Sequence, residues 1–411
     1  MPAPADSQPF GGYRTTDPEY RRISVALFAA GVATFALLYS TQALLPELAA
    51  AFGVSAAEST LSLSVTTVGL GIALLVAGAL SEVVGRTRLI HLSLAVSALV
   101  GVGCALAPGW HALLGLRLLQ GVTLAGLPAV ATAYLREELH GGVQARAAGL
   151  YIGGTALGGM TGRLLTAGIG EAAGWRWALA AIAAVGLTCA LTVRLLLPAS
   201  RNFTPAPAGV GHLLRLMRGA LSDRALLALY AIGACSMGAF VATYNAMGFR
   251  LVSTPFGLGL GAAGLVFLVY PLGSVASTLA GRLADRYSRR AVVPIGCAVF
   301  AAGLVLTLPD SLPLVVLGLA VMTAGFFTVH GVASGWVPAR AFAGGVAPGP
   351  AASLYLFAYY LGSSVFGSLS GQVWSTGHWR GVVVLTLGLV AVVAVLTVLL
   401  HVTPSLDPHR R

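Results

Sequence analysis

The chain contains no lysine: all 24 of its basic residues are arginine. A phosphate-cradling loop of the Gly-x-x-x-x-Gly-Lys type is therefore impossible, which excludes ATP drive within this chain. Charge of either sign is scarce, 9% of 411 residues against 57% hydrophobic, and this excludes a soluble globular domain. Cysteine is scarcer still. Cys104, Cys189, Cys235 and Cys297 each fall inside an apolar run, with no Cys-x-x-Cys spacing and no Cys/His cluster. Neither a disulfide framework nor a metal site is expected. Acids are missing from the interior of every apolar run, since all 13 sit in tails, loops or run edges. A net charge of +11 would suit nucleic acid, but the arginines collect in short clusters between runs rather than on one face. Nucleic acid is excluded as a partner. The first 22 residues, with Pro2, Pro4, Asp6, Asp17 and Arg21, lack the apolar core of a signal peptide and read as a cytoplasmic tail.

What is present is a series of apolar runs of about 20 residues, the length that carries a helix across a bilayer core of ~30 Å. Twelve spans are predicted, at 24–45, 59–80, 88–107, 111–135, 145–168, 175–197, 225–248, 260–281, 290–308, 312–336, 350–372 and 379–401. The 53 glycines suit close helix packing in lipid. With the N-terminus inside, 19 arginines fall on the cytoplasmic side and three (Arg176, Arg250 and Arg380) outside, with Arg117 and Arg163 within spans. This asymmetry places both termini in the cytoplasm. The longest interruption, from Pro198 to Asp223 with Pro205 and Pro207, divides six spans from six. The expected organisation is a tail (1–23), a six-helix bundle (24–198), a cytoplasmic linker (199–223), a second six-helix bundle (224–401) and a tail (402–411). The fold class is all-α, integral to the membrane.

One stretch is duplicated. GALSEVVGRTR, from Gly78 to Arg88, returns as GRLADRYSRR, from Gly281 to Arg290, 203 positions later. A repeated basic hinge between apolar spans implies two homologous, pseudo-symmetric halves. The hinge candidates are Gly78, Glu82, Gly85, Arg86 and Arg88 in the first copy, and Gly281, Asp285, Arg286 and Arg289 in the second.

On these residues the chain resembles a twelve-helix transporter of the major facilitator superfamily, and most closely its bacterial drug:proton antiporter branch. The family hinge pattern, Gly-x-Leu-small-Asp-x-x-Gly-Arg-x-Arg/Lys, is met at Gly78, Leu80, Ser81, Gly85, Arg86 and Arg88, with Glu82 in place of Asp. The second copy keeps Asp285 but has Ser288 for the hinge glycine. The fourth-span pattern Arg-x-x-Gln-Gly is met by Arg117, Gln120 and Gly121. The fifth span lacks the Gly-Pro of proton-driven antiporters, and its GGMTGR run, Gly158 to Arg163, resembles a separate subfamily of inner-membrane transporters. The resemblance implies a monomer, alternating access, and a cytoplasmic latch in which Glu82 meets the N-terminus of the eleventh span and Asp285 that of the fifth. Gly78 would let the second span pack tightly against a neighbour.

Arg117 lies about 9 Å into its span. Facing lipid there would cost at least ~2.5–3.5 kcal/mol, so it is expected to face the interior and find acceptors at Tyr39, Gln42 or the backbone near Pro46. It either couples protonation to cargo or ties the first span to the fourth. Arg163 is expected near the outer end of the fifth span, snorkelling or paired with Glu47 or Glu58, two acids otherwise read as solvated. His330 is a candidate proton carrier, with an ordinary pKa near ~6.5, or else a packing residue. The expected transport path comprises Tyr39, Gln42, Arg117, Gln120, Tyr244, Asn245, His330, Tyr355 and Tyr359. Tyr244 equally suits an interfacial aromatic belt.

A span interior without carboxylates argues against lipophilic cations as cargo. The expected function is export of small amphipathic compounds across a bacterial inner membrane, coupled to proton entry and needing no cofactor beyond the proton gradient. The alternative is export or facilitated movement of a sugar or small organic anion without proton coupling. A membrane enzyme is not expected, because the histidines are scattered among loops and different spans.

Overall fold

The computed structural model describes residues 11–203 and 209–403; Pro205, Pro207 and the terminal segments with Asp6, Arg410 and Arg411 lie outside the described residues. The first span is broken: α1 (Pro18–Tyr39) gives way to a 3-10 turn (Gln42–Leu44) and then α2 (Leu45–Phe52). Pro46 accounts for the break, because its ring would clash with the carbonyl of residue 42 and it has no N–H to donate. The second and third spans are α3 (Ala56–Val84) and α4 (Arg86–Ala105). The fourth is α5 (Trp110–Leu124) with α6 (Gly126–Glu138), and the fifth and sixth are α7 (Gly141–Ala173) and α8 (Trp175–Leu196). The stretch predicted as linker contains a helix of its own, α9 (Val210–Ser222).

In the second half, α10 (Arg224–Val252) is the seventh span and runs unbroken. The eighth comprises α11 (Leu260–Gly264), a 3-10 turn and α12 (Tyr270–Arg286), followed by α13 (Arg289–Leu306) and α14 (Leu312–Ala343). α15 (Pro348–Val402) holds the last two spans, separated by a single non-helical residue, His378, at φ 49°. Among the described residues ten helices are long and apolar enough to cross a membrane. Counting α15 as two, and adding α7, whose apolar character is diluted by glycines, Arg146, Arg163 and Glu171, gives the twelve spans predicted.

Two other connections between successive spans are also one residue long. Gly85 (φ 102°) joins α3 to α4 and Gly174 (φ 87°) joins α7 to α8, conformations that a side chain would strain. The helices outrun the predicted apolar runs by several residues, so Glu82, Glu138, Glu171 and Asp285 lie in final helical turns rather than in loops. Both described chain ends and the Gly85 turn lie on one face of the bundle, here the terminal face; the Gly53 and Gly174 turns lie on the opposite, distal face.

Within each half, glycines bring backbones together. In α7, Gly154, Gly158 and Gly162 form a stripe at helical spacing that lies directly on the backbone of Phe28, Val32 and Ala36 in α1. In the second half Gly362 does the same against Ala234 of α10. Where lipid offers no hydrophobic gain between helices, this close packing supplies the attraction.

Candidate functional site: a buried polar seam

The break in the first span leaves carbonyls at the end of α1 without helical partners, and Arg117 supplies them. It is wholly buried. Its Nη2 donates to the Leu38 carbonyl (2.7 Å) and to Thr41 Oγ1 (3.5 Å), and its Nη1 to the Leu37 carbonyl (2.9 Å), Ser40 Oγ (3.1 Å) and Gln120 Oε1 (2.5 Å). Nε donates to the Ser62 carbonyl in α3 (3.1 Å). The acceptors are thus earlier in the first span than Gln42 and Pro46, and every guanidinium N–H is engaged. Gln120 is held in turn, donating to the Ser97 carbonyl at 3.1 Å. This geometry ties the first four spans together and leaves Arg117 no donor for a cargo.

Arg163 differs most from expectation. It is 1% exposed and contacts neither Glu47 nor Glu58. Those acids are occupied: Glu47 accepts the Trp175 N–H (2.6 Å), and Glu58 forms a capping box with Ser55 at the start of α3. Arg163 instead donates through Nε to Gln42 Oε1 and through Nη1 to the Gly159 carbonyl, both at 2.6 Å. Its Cζ lies 3.9 Å from the ring centre of Tyr39, 4.4 Å from Tyr270 and 5.1 Å from Phe267. Aromatic faces compensate the charge where no carboxylate does.

Gln42 continues the chain. Its Nε2 donates to Asn245 Oδ1 across the boundary between the halves (2.8 Å), and Asn245 Nδ2 donates to the Gly367 carbonyl (3.3 Å). Gln42 and Asn245 are 203 positions apart, the spacing of the duplicated hinge, so the two amides are equivalent positions that meet on the pseudo-twofold axis. Arg163 and Gly367, at the two ends of this relay, fall within one position of the same spacing. The seam continues through Ser64 and Ser368 (2.8 Å) and Thr67 and Ser364 (2.7 Å), and distally Glu171 accepts the Gly261 N–H (2.5 Å). These bonds close the distal face.

Toward the terminal face lies an aromatic cluster. His330 Nδ1 shares a hydrogen bond with the Tyr355 hydroxyl (2.9 Å), and its ring lies 4.7 Å from Tyr359 and stacks on Phe326. His330 and Tyr359 are half-buried, whereas Tyr355 and Tyr244 are buried. Tyr244 is no belt residue: its hydroxyl bonds Thr323 (2.9 Å) and its ring packs on Phe267 and Tyr270. The rings around Arg163 and those around His330 form one aromatic body, joined through Tyr270, Phe327 and Phe326.

Twelve spans in two repeats, closed by a symmetric amide pair, define a fold, and comparison with known proteins supplies its family. Residues 25–273, and in a second match 233–411, fit the family model described as Major Facilitator Superfamily. The chain belongs to that superfamily. It is a multi-pass membrane protein of a family of non-enzymatic carriers. It is 39% identical over 370 residues to the uncharacterized MFS-type transporter YybF of Bacillus subtilis (strain 168), covering 90% of this chain and 91% of that one. It is 40% identical over 376 residues to the inner membrane transport protein YnfM of Escherichia coli (strain K12), covering 92% and 89%. Among solved structures, an inward-facing, unoccupied bacterial homolog of the human lysosomal transporter Spinster aligns with a TM-score of 0.73 at 15% identity, covering 93% of this chain and 96% of that one. A mutant of the nucleoside transporter NupG gives 0.72 at 17% identity, covering 92% and 99%. These two likenesses concern the fold alone.

The superfamily hinge residues are not engaged across the halves. Gly78, expected to pack tightly, has no atom within 4 Å of where a side chain would begin, and neither does Gly281. Glu82, expected at the eleventh span, is half-exposed and lies 3.9 Å from Arg86 of its own turn. Asp285, Arg286 and Arg289 are exposed, and among the described residues Asp285 has no ion pair. The physical reason is that the halves meet along the distal seam, which carries the latch residues apart. Arg86 pairs with Glu137 (3.0 Å), donates to Ser81 Oγ and lies over the Phe203 ring, while Arg88 is exposed. Beside it, buried Glu138 accepts the backbone N–H groups of Arg201 (2.7 Å) and Asn202 (3.1 Å). The first hinge is thus clasped to the segment leaving the sixth span. Sequence reasoning missed this Glu137–Glu138 pair, although two adjacent acids on a face rich in arginine were a visible signal.

Proposed function

We propose that the protein is a secondary transporter of the bacterial inner membrane that exports small amphipathic compounds, neutral or anionic, by alternating access and in exchange for protons. The observation that carries the reading is the pairing of a distally sealed seam with a half-buried His330–Tyr359 cluster on its terminal side. Arginine asymmetry supports cytoplasmic termini, and with that orientation the cluster is loaded from the cytoplasm. An apolar wall with few hydrogen-bonding groups suits amphipathic cargo. His330 is the proton carrier of this reading, since it is the titratable imidazole at the cluster and is held in place by Tyr355.

The test is flux in proteoliposomes with and without an inward-acid gradient, for wild type and His330→Gln. Gradient-dependent export in wild type, with the gradient effect lost and basal exchange kept in the variant, is the expected result. Flux indifferent to the gradient in wild type would replace the antiporter with a facilitator.

A further inference from the structure

Of the buried arginines Arg117, Arg163 and Arg250, Arg163 alone has partners in both halves. Arg117 bonds within the first half, and Arg250 bonds the Thr307, Leu308 and Pro309 carbonyls and Asp310 within the second. Around Arg163, Tyr39, Gly159 and Gln42 belong to its own half, and Tyr270 and Phe267 to the other. Any separation of the distal seam therefore removes two of its three aromatic faces. The same motion takes Asn245 from Gln42 and frees that amide to turn away.

We infer that Arg163 is an anion-recognition residue, sheathed while the distal seam is closed and bared when it opens, and that the cargo carries a carboxylate or an equivalent planar anion. The inference rests on the alternating-access reading above and names the cargo class of that site. Once bared, the guanidinium keeps one carbonyl, one amide and one ring, with no carboxylate within its own set. With the seam closed neither nearby acid pairs with Arg163: Glu47 accepts the Trp175 N–H through one oxygen, its other oxygen being buried without a partner, and Glu171 accepts the Gly261 N–H across the seam. A guanidinium with free N–H donors matches a carboxylate, which it binds through two parallel hydrogen bonds. Its pseudo-equivalent is Gly367, so the axis carries one charge and takes one anion. Tyr39, which keeps its place under the guanidinium, favours an aromatic acid over an aliphatic one. When the seam closes, Tyr270 and Phe267 return to the guanidinium, so the closed state holds no anion at this residue.

The experiment is a distance measurement between spin labels at Ala51→Cys and Thr254→Cys, exposed distal positions in opposite halves, with the four native cysteines replaced by alanine and the protein in lipid nanodiscs. The probes are benzoate and its uncharged counterpart benzamide. In the wild-type background benzoate is expected to raise the long-distance fraction and benzamide to leave it unchanged. Arg163→Gln is expected to raise that fraction about tenfold without any ligand, through loss of two cross-half cation–π contacts, and to ignore benzoate. Arg163→Lys, which keeps the charge, should retain part of the response. An Arg163→Gln distribution identical to wild type, or a benzoate response that persists in it, or an equal response to benzamide, overturns the inference alone. A seam that shows no long distance in any variant or condition overturns alternating access with it.

Discussion

The two halves share a backbone plan but solve the same packing problem differently. In the first half the leading span breaks, and a buried arginine repairs it by donating to the stranded carbonyls of Leu37 and Leu38. In the second half the equivalent span, α10, runs unbroken from Arg224 to Val252, and a hydroxyl pair, Tyr244 with Thr323, suffices where the first half has a cation. Near the axis the difference recurs, with Arg163 in one half and Gly367 in the other. On the terminal face the first hinge is clasped by Glu137, Phe203 and the Glu138 site, whereas Asp285, Arg286 and Arg289 of the second stand exposed. Duplication gives the halves one architecture, on which each has placed its buried cations differently, Arg117 and Arg163 in the first and Arg250 in the second.

That asymmetry can be broken most severely at Arg117. Arg117→Ala removes the guanidinium donors from the Leu37 and Leu38 carbonyls at the first-span break and from the Ser62 carbonyl in α3, and is expected to cost about 3 kcal/mol or more, against about 1 kcal/mol for Thr323→Val in the other half, as read by thermal unfolding in detergent. Equal losses would mean that the first-span break does not depend on its arginine. Glycine contacts probe what the halves have in common. Gly158→Ala and Gly362→Ala should each cost about 1–3 kcal/mol by forcing helices apart, whereas Gly149→Ala, with open space at its Cα, should stay within about 0.5 kcal/mol. The smallest contrast lies at the hinges. Arg86→Ala removes a partly buried pair with Glu137 and should lower stability by about 1 kcal/mol, while Arg286→Ala should be silent within about 0.5 kcal/mol in the same assay.

The sequence disclosed the fold because membrane spans advertise themselves: run length and arginine distribution follow from the bilayer alone. The duplicated hinge revealed the repeat, and the same spacing would have paired Gln42 with Asn245 had it been applied to every polar residue in a span. Contacts were harder to read. Arg163 looked like an end-of-span residue that would seek an acid, yet aromatic rings from two distant segments reach it first, and ring positions follow from tertiary packing rather than spacing. Gly78 looked like a packing glycine, but spacing along one helix does not say which face of the bundle is closed, and here the seam lies distally while Gly78 faces open space. Tyr244 carried both a path and a belt reading, and its bond to Thr323 places it in the interior.

The hydroxyls along the seam hold a second option in reserve. Thr67 Oγ1 lies 3.3 Å from the Leu63 carbonyl and 3.1 Å from that of Ser64, and Ser364 Oγ lies 2.8 Å from the Tyr360 carbonyl, so each has a partner on its own helix as well as across the gap. Parting the helices at this point orphans no polar atom and separates no charges. Each such fastener contributes about 0.5–1.5 kcal/mol, and it undoes without the solvation penalty that would make an ion pair slow to open. This part of the boundary behaves like a zip rather than a bolt, and its opening should be nearly blind to ionic strength.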